Sequence, residues 1–311
     1  MTSLAQKPRA KRRPRHIATR LLLIVPALLL LAYLGISTAA AYILSTPRRV
    51  GGDVQPATYG FAAEDVTFPS RGGDLQLRGW LLPQDGATDV IVIVHGKDNS
   101  GGGLLRDGYG TLFRALGEQG FAVLLLDMRG HGRSDDGRYS FGLNERRDVW
   151  GAVDWLRERG FAAGDIGVYG LSMGAASSIM ASAEEMAVGA LVADCSFSAI
   201  LPIIEREWTA TSGLPQFFLP TTLLLGRLLF GYDIAASRPI DVIDQLGTRP
   251  VLLIHGTGDM LIAPSEADAL QAAYPAAELW KVQGAPHSAS FQTAQREYSQ
   301  RVASFFAQSL Q

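Results

Sequence analysis

Gly170-Leu171-Ser172-Met173-Gly174 is the segment whose residue types and spacing speak most directly of chemistry. A short apolar run, Ile166 to Gly170, precedes it, and a small-residue stretch from Ala175 to Ser178 follows. That context matches a G-x-S-x-G turn between a strand and a helix. A serine there sits on a tight, strained bend, the flanking glycines leave room for the backbone to fold back, and the helix N-terminus favours developing negative charge.

A serine hydroxyl attacks a carbonyl only when a base takes its proton, so a histidine must lie within hydrogen-bond reach. Of the five histidines, His16 precedes a long apolar segment, His95 and His255 end apolar runs before glycine, and His131 lies in the turn Arg129-Gly130-His131-Gly132. His287 alone follows Ser172 in an exposed-looking loop, Gln283 to Ser288. The acid that orients the base is expected between them, and His255-Gly256-Thr257-Gly258-Asp259 supplies one after an apolar run. Asp194, at the end of the run after the nucleophile helix, is the rival; Asp259 is preferred because a glycine turn can aim its carboxylate at the imidazole. The oxyanion needs two backbone N–H groups. Met173 supplies one, and Lys97, in the loop after His95, is the expected second donor. Gly101-Gly102-Gly103 lacks the Gly-Lys-Ser/Thr of a phosphate loop and reads as a flexible loop.

The elements that must hold these residues follow from periodicity. Asp65 to Phe68 and Leu75 to Leu82 read as a half-buried antiparallel hairpin. The runs 89–95, 121–127, 166–170, 190–194 and 251–255 are continuously apolar, as in strands buried on both faces. Between them lie helical patterns, clearest at Val149, Ala152, Val153 and Leu156, with Asn144 expected as cap and Gly160 as stop. Alternating strands and helices predict a mostly parallel α/β sheet with helices on both faces, and a ligand site beyond the carboxyl ends of the strands.

Together His95-Gly96, Asp127 to Ser134, Gly170 to Gly174, His255 to Asp259 and His287 resemble the α/β-hydrolase superfamily over roughly 61–306. Asp194-Cys195-Ser196-Phe197-Ser198 is similar to membrane-anchored serine hydrolases of the BEM46 type. The resemblance implies an eight-stranded α/β-hydrolase fold, no metal or cofactor, and hydrolysis through an acyl-enzyme by Ser172, His287 and Asp259. His131 belongs to a segment that many members share as a structural turn. An ester, thioester or lipid acyl bond is the expected substrate; a peptidase or amidase of the same fold, or a non-catalytic binding protein on this scaffold, are the alternatives. An apolar insertion from Trp208 to Tyr232, inside a segment near 199–240, stands where this superfamily often carries a cap. It reads equally as an acyl-binding lid or membrane-contacting face and as an ordinary core helix.

The N-terminus carries a different signal. Residues 21–44 hold no charge, and as a helix these 24 residues extend about 36 Å, enough for a hydrocarbon core of about 30 Å. A signal peptide cut after Ala39-Ala40-Ala41 is the competing reading, disfavoured by length. Seven basic residues precede the span (Lys7, Arg9, Lys11, Arg12, Arg13, Arg15 and Arg20) against Arg48 and Arg49 after it. The expectation is a cytoplasmic tail at 1–20, a transmembrane anchor at 21–44, a linker at 45–60 and a non-cytoplasmic hydrolase domain at 61–311. Beyond the tail, 21 basic side chains face 30 acidic ones, which offers nothing to nucleic acid. A single cysteine, Cys195, excludes a disulfide within the chain.

Overall fold

A computed structural model describes residues 15–73 and 75–310. Its strands are β1 (Glu64–Pro69), β2 (Gln76–Leu82), β3 (Val90–Val94), β4 (Ala122–Asp127), β5 (Ile166–Leu171), β6 (Val188–Asp194), β7 (Val251–Gly256) and β8 (Glu278–Val282). They form one eight-stranded sheet in the order β1-β2-β4-β3-β5-β6-β7-β8. β1 and β2 pair antiparallel, as do β2 and β4, and every later pair is parallel. The expected hairpin and the buried parallel centre are both present.

The helices are α1 (Arg15–Ser45), α2 (Gly101–Arg106), α3 (Gly110–Glu118), α4 (Arg146–Glu158), α5 (Met173–Glu184), α6 (Ile200–Ser212), α7 (Leu219–Phe230), α8 (Ser265–Ala273), α9 (Ser290–Thr293) and α10 (Gln295–Ser309). Because strand side chains alternate, β3 serves two cores. Val90, Val92 and Val94 pack with residues of α4, α5 and α8 on one face. Ile91 and Ile93 pack with α2, α3 and α10 on the other. The chain runs from β3 to β4 in one direction and then returns past β3 to β5, so the order reverses between β3 and β5. Such a reversal opens a crevice at the carboxyl ends of those two strands.

Two local expectations are corrected. Asn144 does not cap α4: the cap position is Glu145, with no side-chain cap bond. The Glu145 carboxylate instead accepts from the backbone N–H groups of Ser140 and Gly142, which fixes the preceding turn. Gly101-Gly102-Gly103 is no flexible loop but the buried first turn of α2, capped by the Ser100 hydroxyl, which accepts from Gly103 N at 2.8 Å. These glycines serve close approach, since a Cβ on Gly101 would lie 2.8 Å from Leu125 Cβ and one on Gly102 2.6 Å from Gly51 O.

Among the described residues one helix, Arg20–Ser45, is long and apolar enough to cross a membrane. Its side chains from Leu21 to Leu31 are exposed, whereas Ser37, Ala41 and Ser45 are buried against α7 and its flank. The following stretch is held on the domain: Arg49 donates to Gly132 O and pairs with Asp136, and Gly51 and Pro56 are buried.

Candidate active site

Ser172 occupies the bend between β5 and α5 with φ 54° and ψ −117°, a left-handed conformation that a side chain adopts only under strain. The neighbouring glycines make the bend possible. A Cβ on Gly170 would meet Gly174 O at 2.5 Å, and one on Gly174 would meet Val94 O and His95 O at 2.3 Å. Ser172 N donates to Asp194 O at 2.8 Å, which ties the bend to the end of β6. Met173 opens α5, and the first N–H groups of a helix have no intrahelical acceptor.

His287 stands in the loop after β8 and Asp259 in the loop after β7. His287 Nε2 lies 3.0 Å from Ser172 Oγ, and its Nδ1 lies 2.7 Å from Asp259 Oδ2. With Nδ1–H donating to the carboxylate, Nε2 presents its lone pair to the serine hydroxyl. The Asp259 carboxylate is fixed from behind, because its Oδ1 accepts from Leu261 N at 2.9 Å and Ile262 N at 2.8 Å. Burial pushes this carboxyl up, but hydrogen bonds from His255 and His287 outweigh burial and leave it well below its ordinary value. It therefore stays ionised where an imidazole titrates. The imidazole of His287 is 22% exposed, less than its loop suggests from sequence.

The structure does not bring Asp194 to His287. Its carboxylate is fully buried and accepts from Ser290 Oγ at 3.1 Å and Tyr298 OH at 2.8 Å, and burial raises it to about 6. His95 and His131 are likewise taken up by backbone. His95 Nδ1 donates to Gly96 O and its Nε2 accepts from Met128 N; His131 Nδ1 donates to Arg129 O and its Nε2 accepts from Asp98 N. Lys97 lies one residue beyond Gly96, where a Cβ would come 3.5 Å from Ser172 Cβ, so the Lys97 backbone passes close to the serine. Its ammonium points elsewhere, to Asp98 at 3.1 Å.

Three neighbours escape sequence reasoning. His255 Nε2 lies 3.5 Å from Asp259 Oδ2 and donates to Ile262 O at 2.8 Å, so it braces the acid loop. Cys195 has φ 48° and rests its Sγ 3.5 Å from Ser288 Oγ, next to the base. Tyr298 joins Tyr169 to Asp194 through buried hydroxyls. His255 and Cys195 lie inside sequence motifs, but their contacts are not read from those motifs, and no motif marks Tyr298. Cys195, Asp259 and His287 bring three potential metal-ligand atoms within 4.8 Å of one another. Burial holds the thiol well above its ordinary value, and the imidazole and carboxylate are bonded to each other.

Residues 55–219 match the family model described as X-Pro dipeptidyl-peptidase (S15 family), a match over more than half of the chain. The uncharacterized protein YqkD of Bacillus subtilis is 30% identical over 206 residues, and the uncharacterized protein YfhR of Escherichia coli K12 is 26% identical over 209. Each alignment covers 65% of this chain, and the chain spans 65% of the length of these relatives. Among solved structures, the esterase Pf2001 of Pyrococcus furiosus superposes with a TM-score of 0.70 at 24% identity, covering 86% of this chain and 98% of that one. Est1E of Butyrivibrio proteoclasticus, solved with ferulic acid, superposes with a TM-score of 0.58 at 21% identity, covering 78% of this chain and 99% of that one. At such identities these likenesses carry the fold alone. By sheet and family match, the chain has the α/β-hydrolase fold and belongs to the X-Pro dipeptidyl-peptidase (S15) family.

Proposed function

We propose that Ser172, His287 and Asp259 form a catalytic triad that hydrolyses an ester, thioester or lipid acyl bond. The observation that carries this reading is the unbroken chain from Ser172 Oγ through His287 to Asp259, at 3.0 and 2.7 Å. Ser172 Oγ attacks the carbonyl carbon while its proton passes to His287 Nε2. The tetrahedral oxyanion is met by the N–H groups of Met173 and Lys97. Collapse expels the alcohol or thiol, which takes the proton from Nε2 and leaves an acyl ester on Ser172. Water then repeats the sequence with His287 as base and restores the serine. Asp259 holds the imidazole in the tautomer that both steps need. Ser172→Ala is expected to fold normally and to lose about 10⁵-fold in kcat on short-chain aryl esters, along with labelling by a fluorophosphonate. Parental turnover by that variant would overturn the assignment.

The family match favours a second reading, a peptidase that releases dipeptides. Removing an N-terminal dipeptide calls for an anionic partner for the substrate ammonium. The carboxylates of Asp98, Asp194, Asp259 and Glu266 each accept from donors of this chain already. Exposed Met260 and Leu261, directly after Asp259, give the rim an apolar character instead. This supports acyl esters over peptides, and a panel of acyl chain lengths beside Xaa-Pro amides separates the two. Preference for the amides would reverse the reading.

For placement, α1 serves as a single-pass anchor, with the basic N-terminus in the cytoplasm and the hydrolase domain outside. N-terminal sequencing of membrane-extracted protein tests retention; an N-terminus near Tyr42 would instead mark a cleaved signal.

A further inference from the structure

Along its middle, the contact between α1 and α7 is built from small side chains. On α1 the buried positions Ser37, Ala41 and Ser45 recur every four residues, and on α7 Thr222 and Gly226 do the same. A Cβ on Gly226 would lie 2.9 Å from the Tyr232 ring. The Ser37 and Thr222 hydroxyls are buried without a hydrogen-bond partner. In water, two helices are held together chiefly by burying large apolar side chains. Here many of the large ones point away: Ile36 and Ile43 on α1, and Leu224, Leu228 and Leu229 on α7, are 42–70% exposed. Small residues inside and large apolar residues outside is the distribution that lipid stabilises.

The two helices run side by side in the same direction. Tyr33 stacks on Phe217 and Phe218 at 6.0 and 5.0 Å between centroids, and its hydroxyl lies 2.6 Å from Thr221 Oγ1. At the other end the Tyr232 hydroxyl donates to Ala41 O, and Tyr42 packs on Phe230 at 6.1 Å. From Leu21 to Tyr33, α1 extends about 20 Å beyond the tip of α7, against a hydrocarbon core of about 30 Å. If α1 spans, about 10 Å of the core falls where α7 is already packed. From Leu214 to Phe230 the one charged residue is Arg227, near the domain end, where it pairs with Asp233 at 3.3 Å. At that end Arg138 sits over the Tyr42 and Phe230 rings at 4.2 and 4.3 Å, an aromatic and basic collar of the kind found at headgroup level.

We propose that α7 and the turn at Gln216–Phe218 insert into the bilayer beside α1, so that the hydrolase domain is held by a two-helix lipid-facing element. This rests on the reading of α1 as an anchor. α6 and α7, bent by 120°, together also have the length and composition of a broken span or re-entrant loop. Glu205, Arg206 and Glu207 on α6 keep that helix at the headgroups, and Arg206 donates to Leu261 O beside the acid loop. Through α6, the loop with the exposed Met260 and Leu261 is thus tied to the inserted element at headgroup level.

Cys195 is buried, so cysteines introduced at exposed positions take label selectively. Full-length protein carrying Leu224→Cys, Leu29→Cys or Asp85→Cys is labelled with a nitroxide in phosphatidylcholine vesicles, and collisions with oxygen and with a soluble nickel chelate are measured. The expected result is loss of nickel collisions and gain of oxygen collisions at 224, as at 29 and unlike 85. A label at 224 as open to nickel as that at 85, with 29 still shielded, overturns the insertion of α7 and spares the anchor. Nickel access at both 224 and 29 overturns both. Spin–spin broadening at 224 with nickel exclusion unaffected by added lipid means that a second copy covers α7, and also overturns the proposal.

Discussion

The carboxyl edge of the sheet holds two groups of serine, histidine and aspartate, and they are wired differently. Beside β3 and β4, the Asp127 carboxylate accepts from Gly101 N and Arg133 N, and Ser134 Oγ donates to Asp127 O. His95 and His131 each use both ring nitrogens on backbone groups. Every proton there has a fixed address, and the two rings are fully buried. Beside β5, β7 and β8, by contrast, side chain meets side chain from Ser172 through His287 to Asp259, and the imidazole is partly open to solvent. The first arrangement clamps turns; the second, on the function proposed above, passes a proton to a bound molecule. Residue type and position at a strand end do not separate them; the partner of each polar atom does.

The largest expected effect tests that difference directly. Asp259→Asn lowers kcat about 10⁴-fold, because an amide cannot hold the imidazole in the working tautomer or stabilise its charged form. Asp127→Asn leaves kcat per folded molecule within a few fold but lowers stability by about 1–3 kcal/mol, since an amide nitrogen then faces a backbone donor. Steady-state kinetics and urea midpoints on both variants read the two effects. A kinetic loss in Asp127→Asn matching that in Asp259→Asn would erase the distinction.

Much of this was legible in the sequence because the signals are local. Apolar runs ending in polar residues gave the parallel strands, and Gly170 to Gly174 announces its own bend. The contact of Asp259 with His287 was reachable by chain order. What stayed hidden depends on partners far away in sequence. The glycines 101–103 look flexible until Leu125 and Gly51 are packed against them. Asn144 looks like a cap because the role of Glu145 in the preceding turn is set by Ser140 and Gly142. The apolar stretch near Leu214 to Phe230 could not be divided into lid or core from composition, since its packing on α1 joins residues almost 190 positions apart.

A second test uses pH on the clamped group. Burial, reinforced by the charge of His131 and only partly offset by the Gly96 carbonyl, lowers His95 from 6.5 to about 3. Protonation would set an N–H against Met128 N–H. The folded value lies below the unfolded one, so the stabilising contribution is present above about pH 6.5 and fades as pH falls toward 3. That difference corresponds to roughly 4–5 kcal/mol at most. Comparison with His95→Asn isolates it from the carboxylates that titrate in the same range: the advantage of the parental protein over the variant shrinks between pH 7 and 3.5. An advantage constant with pH would remove His95 from the clamp.

The smallest effect concerns Asp194, which shares features with both groups. Like the clamps it is fully buried, yet its carboxylate oxygens accept from side-chain hydroxyls, those of Ser290 and Tyr298. Burial raises its carboxyl from 3.8 to about 6, against the lowering effect of those hydroxyls. With the folded value above the unfolded one, the native state loses stability as pH rises from about 4 through 6, by roughly 3 kcal/mol. Asn cannot ionise, so Asp194→Asn becomes more stable relative to the parent by about that amount between pH 4 and 7.5. Its backbone carbonyl still accepts from Ser172 N, which keeps the nucleophile bend and therefore kcat near parental. Urea midpoints at the two pH values and a pH–rate profile read the two expectations separately. If stability moved little and the rate profile shifted instead, the Asp194 carboxylate would belong to the proton-passing group. Side-chain wiring alone would then define that group, whether or not its members reach solvent.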